Sequence, residues 1–276
     1  MSVLRESTGI LPVAFSGAPG AYSEEAARRF FGPGIPTLTC RSGPESVRAV
    51  TEGRAAYAVV SVENSITGPF AGVAESLCEH PLALLGEVVL PIRHCLLAAP
   101  GTRLEDVSVV TSHPSALSQC RDWLAGWGVA TRPMSDTAEA ARELSESRGA
   151  GTGVIGSRTL ATTYGLEVLA EGISDRPDNQ TRFWILGHQP GGDAEATRTA
   201  LVVRPVTAPR VLKTLRIQIE ARDARRVRVP FLGSEDGTCF VIEFDHRPGT
   251  GREIAEEACA GLKTRWLGSW SPSTAA

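Results

Sequence analysis

The sequence predicts an α/β protein with two lobes, followed by a small α+β domain of the ferredoxin-like kind. From residue 12 to 188, short apolar runs typical of buried strands alternate with helical segments. Residues 189–195 then turn to proline, glycine, aspartate and alanine, a composition typical of linkers. The elements predicted over residues 199–272 follow in βαββαβ order, which indicates a separate ferredoxin-like unit. A length of 276 residues is sufficient for two such domains.

The first lobe begins with a strand over residues 13–15 that runs into a glycine-rich turn. Ser23 is a suitable N-cap for the helix that follows this turn. The next predicted elements are a helix over 44–52, a strand over 56–62 and a helix over about 71–79. The strand delivers Glu63, Asn64 and Ser65 to a loop, so polar side chains gather at strand ends.

The second lobe repeats the same kinds of element. After a predicted strand over 84–89, its predicted strands cover residues 94–98, 107–110 and 152–156, and its predicted helices cover 115–126, 137–145 and 157–164. A further apolar run over 166–169 leads toward a return of the chain to the first lobe. We therefore assign residues 12–90 with 168–188 to one lobe and 91–167 to the other, with a cleft between them as the expected ligand site.

The C-terminal domain is predicted over residues 199–272. Its predicted elements are strand 199–204, helix 209–221, strand 226–232, a hairpin turn at 235–237, strand 239–244, helix 252–263 and strand 266–270.

Composition excludes several classes of function. The net charge is −3, and no basic tract indicates binding to nucleic acid. The apolar runs are too short to span a membrane, and residues 1–10 lack the apolar segment of a signal peptide, so we expect a cytoplasmic protein. The six cysteines form no Cys-x-x-Cys pair, which signals neither a zinc site nor a disulfide framework. We expect free, mostly buried thiols.

The most informative stretch is residues 178–183, where a hydroxyl (Thr181) and a guanidinium (Arg182) stand just before an apolar run. A strand that begins there places both groups at its N-terminal end, where they can contact a carboxylate and a leaving group. Taken alone, so short a motif more often describes a turn with a solvated arginine. Other stretches of the chain must supply the rest of the site.

Those stretches exist, and with them the sequence resembles the prephenate dehydratase family over nearly its whole length. The matching motifs, in the family's order, are Gly17 to Ser23, Val62 to Ile66, His94 to Leu97, Ser112 to Pro114 with Ala116, Leu117, Gln119 and Cys120, Thr137 to Ala141, Tyr164 to Ala170, and Asn179 with Thr181 to Phe183. The C-terminal unit resembles the ACT regulatory domain that usually follows this catalytic domain. Several short motifs in the right order are far more specific than any one of them.

The resemblance implies conversion of prephenate to phenylpyruvate, with loss of water and carbon dioxide, in phenylalanine biosynthesis. It implies no metal and no organic cofactor, because aromatisation of the ring drives the reaction. It also implies a two-lobed catalytic domain like that of periplasmic binding proteins, a small-molecule substrate, and a homodimer or homotetramer. The protein has to anchor two carboxylates, stabilise the departing hydroxyl and desolvate the carboxylate that leaves.

The resemblance implies that Thr181 donates a hydrogen bond to the leaving oxygen. It makes Arg182 a carboxylate anchor or a brace for its loop. Asn64 and Ser65 offer neutral donors from the opposite wall. The remaining candidates for substrate binding are Gly20, Ala21, Tyr22, Ser23, Glu63, His94, Ser112, Gln119 and Phe183. Within that set, Glu63 is better suited to pair with an arginine than to face a dianion, and Tyr22 and Phe183 are expected to pack. A hydrogen-bonded, partly buried role is expected for His94 and His113, with acid–base catalysis as the alternative.

The chain departs from the family pattern in places. Ala21 replaces the usual threonine of the glycine-rich motif, and residues 67–70 replace a Glu-Gly-Ser segment. Neither phenylalanine-site motif of the ACT domain survives at residues 209–212 or 229–232, so we expect weak or absent phenylalanine feedback. The alternatives are a non-aromatising prephenate decarboxylase of a specialised pathway, an arogenate dehydratase, or a non-catalytic sensor of aromatic amino acids.

Overall fold

Three β-sheets organise the part of the chain that the computed structural model describes, residues 11–70, 72–147, 149–189, 195–204, 209–232 and 239–272. The strands are β1 (Val13–Ser16), β2 (Thr37–Cys40), β3 (Tyr57–Asn64), β4 (Gly68–Pro69), β5 (Ala83–Pro91), β6 (Cys95–Ala98), β7 (Val109–Ser112), β8 (Ala130–Pro133), β9 (Thr152–Gly156), β10 (Glu167–Glu171), β11 (Gln180–Gly187), β12 (Arg198–Arg204), β13 (Arg225–Leu232), β14 (Phe240–Asp245) and β15 (Lys263–Trp270). The α-helices are α1 (Tyr22–Phe31), α2 (Gly43–Thr51), α3 (Val73–Glu79), α4 (Pro114–Gln119), α5 (Arg121–Trp127), α6 (Thr137–Ser147), α7 (Arg158–Tyr164), α8 (Pro209–Glu220) and α9 (Gly251–Ala258).

The first two sheets form the two predicted α/β lobes and share one strand order. The first sheet runs β2-β1-β3-β11-β5, with β11 antiparallel to both neighbours and β4 paired to β3. The second runs β8-β7-β9-β6-β10, with β6 antiparallel to both neighbours. In each lobe, then, the antiparallel inner strand follows a crossing of the chain between lobes.

One boundary of the predicted lobes is wrong. Strand β10 pairs with β6 in the second sheet, whereas residues from 168 onward were assigned to the first lobe. The chain returns to the first sheet only with β11, at Gln180. An apolar run shows that a strand forms, but it does not show which sheet supplies its hydrogen-bond partner.

Other predicted elements differ from the observed ones where the local sequence pattern is weak. Strands β2 and β8 were not predicted, and every residue of β8 is exposed, so the strand carries no alternation of apolar and polar residues. The helix predicted over 115–126 is two helices that meet at Cys120, whose backbone is not helical (φ −120°, ψ 21°). Helix α9 ends at Ala258, before Gly261 with φ +85°, rather than at residue 263.

The third sheet, in the order β13-β14-β12-β15, gives the C-terminal domain its predicted ferredoxin-like arrangement. Helices α8 and α9 cover one face of this sheet. Its other face packs on the first lobe, where Val241 and Leu267 join the core that contains Leu84 and Trp184. The predicted hairpin turn at 235–237 lies outside the described residues.

A disulfide also joins the two domains, contrary to the prediction of free thiols throughout. It connects Cys78 of α3 to Cys239, which precedes β14, with Cα atoms 6.5 Å apart. The two cysteines are 161 positions apart, so no spacing signal could reveal the pair. The other four cysteines are free and buried.

None of the helices in the described ranges has the length and apolar character needed to cross a membrane.

Candidate active site

A cavity of about 1130 Å³ lies in the cleft between the two lobes. The N-terminal ends of α1, α2 and α6 border it, as do the ends of β3 and β11 near Asn64 and Thr181. Of the predicted site residues, those that line it are Ala21, Tyr22, Ser23, Asn64, His94, Gln119, Thr181 and Phe183.

Backbone donors fix the orientation of the Asn64 side chain. Its Oδ1 accepts from the N–H groups of Ile66 (2.9 Å) and Thr67 (3.0 Å), and from the Thr67 hydroxyl (3.3 Å). A backbone N–H can only donate, so this atom must be the oxygen and the other must be the amide nitrogen. Thr67, one of the departures from the family pattern, thus helps to hold Asn64.

The Asn64 amide reaches the hydroxyl of Thr181. Asn64 Nδ2 lies 2.8 Å from Asn179 Oδ1, 3.0 Å from Thr181 Oγ1 and 3.1 Å from the Gln180 carbonyl, so its two hydrogens serve three acceptors. Thr181 Oγ1 is the acceptor in its contact, which leaves its own hydrogen to donate elsewhere. This hydrogen is available to a ligand in the cavity.

The same logic extends across the cleft to His94. Asn179 Oδ1 is an acceptor, so Asn179 Nδ2 donates to Gln119 Oε1 at 2.8 Å. Gln119 Oε1 also lies 2.8 Å from His94 Nε2, which therefore carries the ring proton. Neutral amides thus connect the residue before β6 with the start of β11, where the chain crosses between lobes.

Burial keeps these groups neutral. It lowers the pKa of His94, because the charged imidazolium would lose its hydration, while the Gln119 hydrogen bond only partly opposes that effect. Burial raises the pKa of Tyr22, whose hydroxyl donates to the Arg93 carbonyl at 3.0 Å. It also raises the pKa of the Cys120 thiol to about 12, so this thiol stays protonated.

The glycine-rich turn shapes the wall formed by α1. Gly20 has φ +88°, and a Cβ there would lie 2.8 Å from Leu160 of α7, so the turn needs glycine for both conformation and space. Its N–H donates to Glu24 Oε2 at 2.7 Å. Burial alone would raise the pKa of Glu24, but the Gly20 N–H and Arg28 lower it. Helix α1 begins after Ala21 without a side-chain cap, so its first N–H groups have no side-chain acceptor.

Two residues predicted to bind substrate face away from the cavity because strand side chains alternate. Arg182 lies between Thr181 and Phe183, so it points to the opposite face of the first sheet. There its Nη1 contacts Glu63 Oε2 at 2.7 Å. Glu63 is therefore an ion-pair partner, as its charge indicated, and Arg182 is a brace rather than a carboxylate anchor.

Three further candidates have structural contacts instead of a place in the cavity wall. The Ser65 hydroxyl donates to the Asp178 carbonyl and accepts from the Gln180 N–H. Ser112 is fully buried, and its hydroxyl donates to the Ile155 carbonyl at 2.7 Å. Gly20 belongs to the glycine-rich turn, where its N–H donates to Glu24.

Two arginines that line the cavity, Arg41 and Arg142, are not among the predicted site residues. Arg41 is exposed, precedes α2 and makes no ion pair among the described residues. Arg142 contacts Glu146 at 2.8 Å. His113 also lines the cavity, and its Nδ1 accepts from the Ser115 N–H at 3.2 Å. Arg41 follows β2, a strand that was not predicted, so nothing in the sequence placed it at a strand end.

Fold and site together define a two-lobed α/β protein with a ligand cleft at the crossing between lobes. Residues 13–191 match the family model of prephenate dehydratase. The chain belongs to that family.

Individual relatives agree with this assignment. The chain is 36% identical over 252 residues to arogenate dehydratase/prephenate dehydratase 1, chloroplastic, of Arabidopsis thaliana, covering 84% of this chain and 64% of that protein. It spans 52% and 43% of the length of two arogenate dehydratases from Petunia hybrida. A crystal structure of prephenate dehydratase from Arthrobacter aurescens in complex with L-Phe is 30% identical, with a TM-score of 0.80, over 96% of this chain and 93% of that one.

One structural neighbour has a different printed activity. GqqA, described as a novel type of quorum quenching acylase, is 28% identical with a TM-score of 0.80, over 95% of this chain and 98% of that one. A shared fold therefore does not decide the activity, which must be argued from the site.

Proposed function

We propose that this protein dehydrates and decarboxylates prephenate to phenylpyruvate, as a carbon–oxygen lyase of phenylalanine biosynthesis. The observation that carries the proposal is the hydroxyl of Thr181, which lines the cleft and accepts from the Asn64 amide, so that its own hydrogen can be donated to a ligand. In the reaction, the bond from the ring to its carboxylate breaks and carbon dioxide leaves. The electron pair enters the ring and expels the 4-hydroxyl, which takes up a proton from solvent and leaves as water. Thr181 donates a hydrogen bond to that oxygen as negative charge develops on it.

The neutral network around Thr181 suits this role. Asn64, Gln119 and Asn179 add no charge near the departing hydroxyl, and they hold the donor before the substrate arrives. A donor that needs no reorientation during the reaction stabilises the transition state more than the ground state.

Anchors for the substrate's two carboxylates are available at the rim of the cavity. The free guanidinium of Arg41 supplies charge and paired donors. The uncapped first turn of α1, at Tyr22 and Ser23, supplies backbone N–H groups and the positive end of a helix dipole. We propose that these two features bind the carboxylates.

Incubation of the purified protein with prephenate at neutral pH tests the proposal, with the product followed by mass and by the ultraviolet absorbance of phenylpyruvate in alkali. Formation of phenylpyruvate is expected. A non-aromatic decarboxylated product would instead identify the non-aromatising branch. A faster turnover of arogenate would make the aminated compound the preferred substrate, and no turnover of either would contradict the proposal.

We further propose a cytoplasmic homodimer or homotetramer. Size-exclusion chromatography with light scattering tests the assembly, and a monomer would contradict it.

A further inference from the structure

Arg182 is the centre of a buried ion cluster between the catalytic lobe and the C-terminal domain. Its Nη1 contacts Glu63 Oε2 at 2.7 Å, and its Nη2 contacts Glu87 Oε2 at 2.6 Å and Glu243 Oε2 at 3.0 Å. Glu63 lies on β3 and Glu87 on β5, the two neighbours of β11, while Glu243 lies on β14 of the C-terminal domain. One side chain therefore connects three strands from two domains.

The cluster is shielded from water. The side chains of Glu87 and Glu243 are each 1% exposed, and that of Arg182 is 12% exposed. Attraction to Glu243 and Glu87 raises the pKa of Arg182 despite its burial, so the guanidinium stays charged. Buried charges of this kind hold their partners in defined positions, because a displaced partner leaves an unpaired charge without hydration.

The ladder between β11 and β3 is irregular at this point, whereas the pairing of β11 with β5 is regular there. Arg182 pairs with Glu63 but Phe183 pairs with Ser61, so Val62 is the extra residue of a β-bulge in β3. Bulges change the direction of neighbouring side chains, and Glu63 and Asn64 follow directly after this one. The placement of Asn64, and of the Thr181 hydroxyl that it contacts, therefore depends on the contacts that hold this end of β3. Arg182 makes those contacts on the face opposite the cavity.

We propose that Glu243 is a positioning residue for the reaction, supplied by the C-terminal domain and acting through Arg182 on the hydroxyl of Thr181. The inference rests on the proposed function. It makes the C-terminal domain a structural part of the catalytic site, in addition to any regulatory role.

The test replaces Glu243 with glutamine, which keeps the shape and removes the charge. Glu243→Gln should lower kcat about 10-fold, with KM changed less than 2-fold, because a small displacement of a catalytic donor slows the chemical step. The matched control is Glu257→Gln, the same substitution in the same domain, at a carboxylate of α9 that pairs with Arg222 (2.9 Å) instead of with Arg182. The control should keep kcat within 2-fold of the wild type.

A double-mutant cycle separates positioning from simple loss of stability. In a Thr181→Ala background, Glu243→Gln should have no further effect on kcat, because the group it positions is absent. An equal loss of kcat in both backgrounds would overturn the proposal, and so would an unchanged kcat in the single variant. If Glu243→Gln does not fold, Glu243→Asp, which keeps the charge but shortens its reach, takes its place with the same expectations.

A second readout does not depend on activity. Hydrogen–deuterium exchange of the amides of residues 180–184 should be faster in Glu243→Gln than in Glu257→Gln. Unchanged exchange would contradict the link between Glu243 and β11. Absence of turnover by the wild type would contradict the proposed function and leave the exchange result to decide the structural link.

Discussion

The two faces of strand β11 differ in the way they are held together. On the cavity face, Thr181 lies in a network of neutral amides, with Asn64 at 3.0 Å. On the opposite face, Arg182 lies among three carboxylates, two of them almost completely buried. The neutral face leaves a hydrogen free for a ligand, whereas the charged face pairs its guanidinium with carboxylates of the protein. Of two adjacent residues of one motif, Thr181 thus faces the cavity and Arg182 faces the contact with the C-terminal domain.

The largest effect is expected from removing the donor on the cavity face. Thr181→Ala should lower kcat by about 10²-fold or more, the usual loss for one positioned transition-state donor. Thr181→Ser, which keeps the hydroxyl, is the matched control and should retain most of the activity. Steady-state kinetics with prephenate measures both variants, and near-normal turnover of Thr181→Ala would remove this residue from the mechanism.

On the face toward the C-terminal domain, the disulfide between Cys78 and Cys239 should stabilise the contact between domains. Its reduction, or Cys78→Ser, should lower the free energy of unfolding by about 2–5 kcal/mol, because the link closes a long loop in the unfolded chain. Denaturant unfolding with and without reductant measures the change, and reductant should have no further effect on Cys78→Ser. A thiol titration of the unfolded protein should give four free thiols before reduction and six after it. Six thiols before reduction would contradict the bond.

The close approach of the two domains can be broken at Gly268. A Cβ at this residue of β15 would lie 2.2 Å from the Leu84 carbonyl oxygen of the catalytic lobe, a contact that only backbone movement can relieve. Gly268→Ala should therefore destabilise the protein by about 1–3 kcal/mol. Gly126→Ala is the control, because nothing lies within 4 Å of the added Cβ there. Equal melting temperatures for the two variants would contradict the tight packing.

The substrate anchors on the cavity face can be tested at Arg41. Arg41→Gln should raise KM about 10-fold or more with little change in kcat, because a charge-assisted contact to a carboxylate contributes similarly to ground-state and transition-state binding. Arg48→Gln removes an exposed charge from α2 at a position that does not line the cavity, and it should leave KM unchanged. An unchanged KM for Arg41→Gln would place the anchor elsewhere.

The smallest effect concerns pH. Burial holds the pKa of His94 below its ordinary value of 6.5, so on acidification the unfolded chain takes up a proton before the folded protein does. The contribution of this residue to stability is therefore fully present above pH 6.5 and falls as pH drops through the folded pKa. Unfolding at pH 7.5 and 5.5 should show a larger loss for the wild type than for His94→Gln. An equal loss would show that His94 is not held neutral by burial.

A feature of this molecule can be predicted from the sequence when the residues that determine it lie close together along the chain. The lobes, the βαββαβ unit and the place of Thr181 at the cavity were predictable, because they depend on short apolar periods and on motifs in a fixed order. The two-residue period of a strand also separates Thr181 and Phe183 from Arg182. It does not say which face meets the cavity, and so the sequence left Arg182 as either a carboxylate anchor or a brace and kept Glu63 among the substrate-binding candidates. Arg41 was missed because the short strand before it carries no clear alternation.

The sequence by itself determined the family, the order of the domains and the residue types at the start of β11. Only the tertiary structure decided the partners: β10 joined the second sheet, Cys78 paired with Cys239, and Arg182 turned to Glu243. Each of these contacts joins residues about 60 to 160 positions apart, or depends on the sheet that a strand enters. Their energies come from burial and pairing in the assembled fold, which no local pattern encodes.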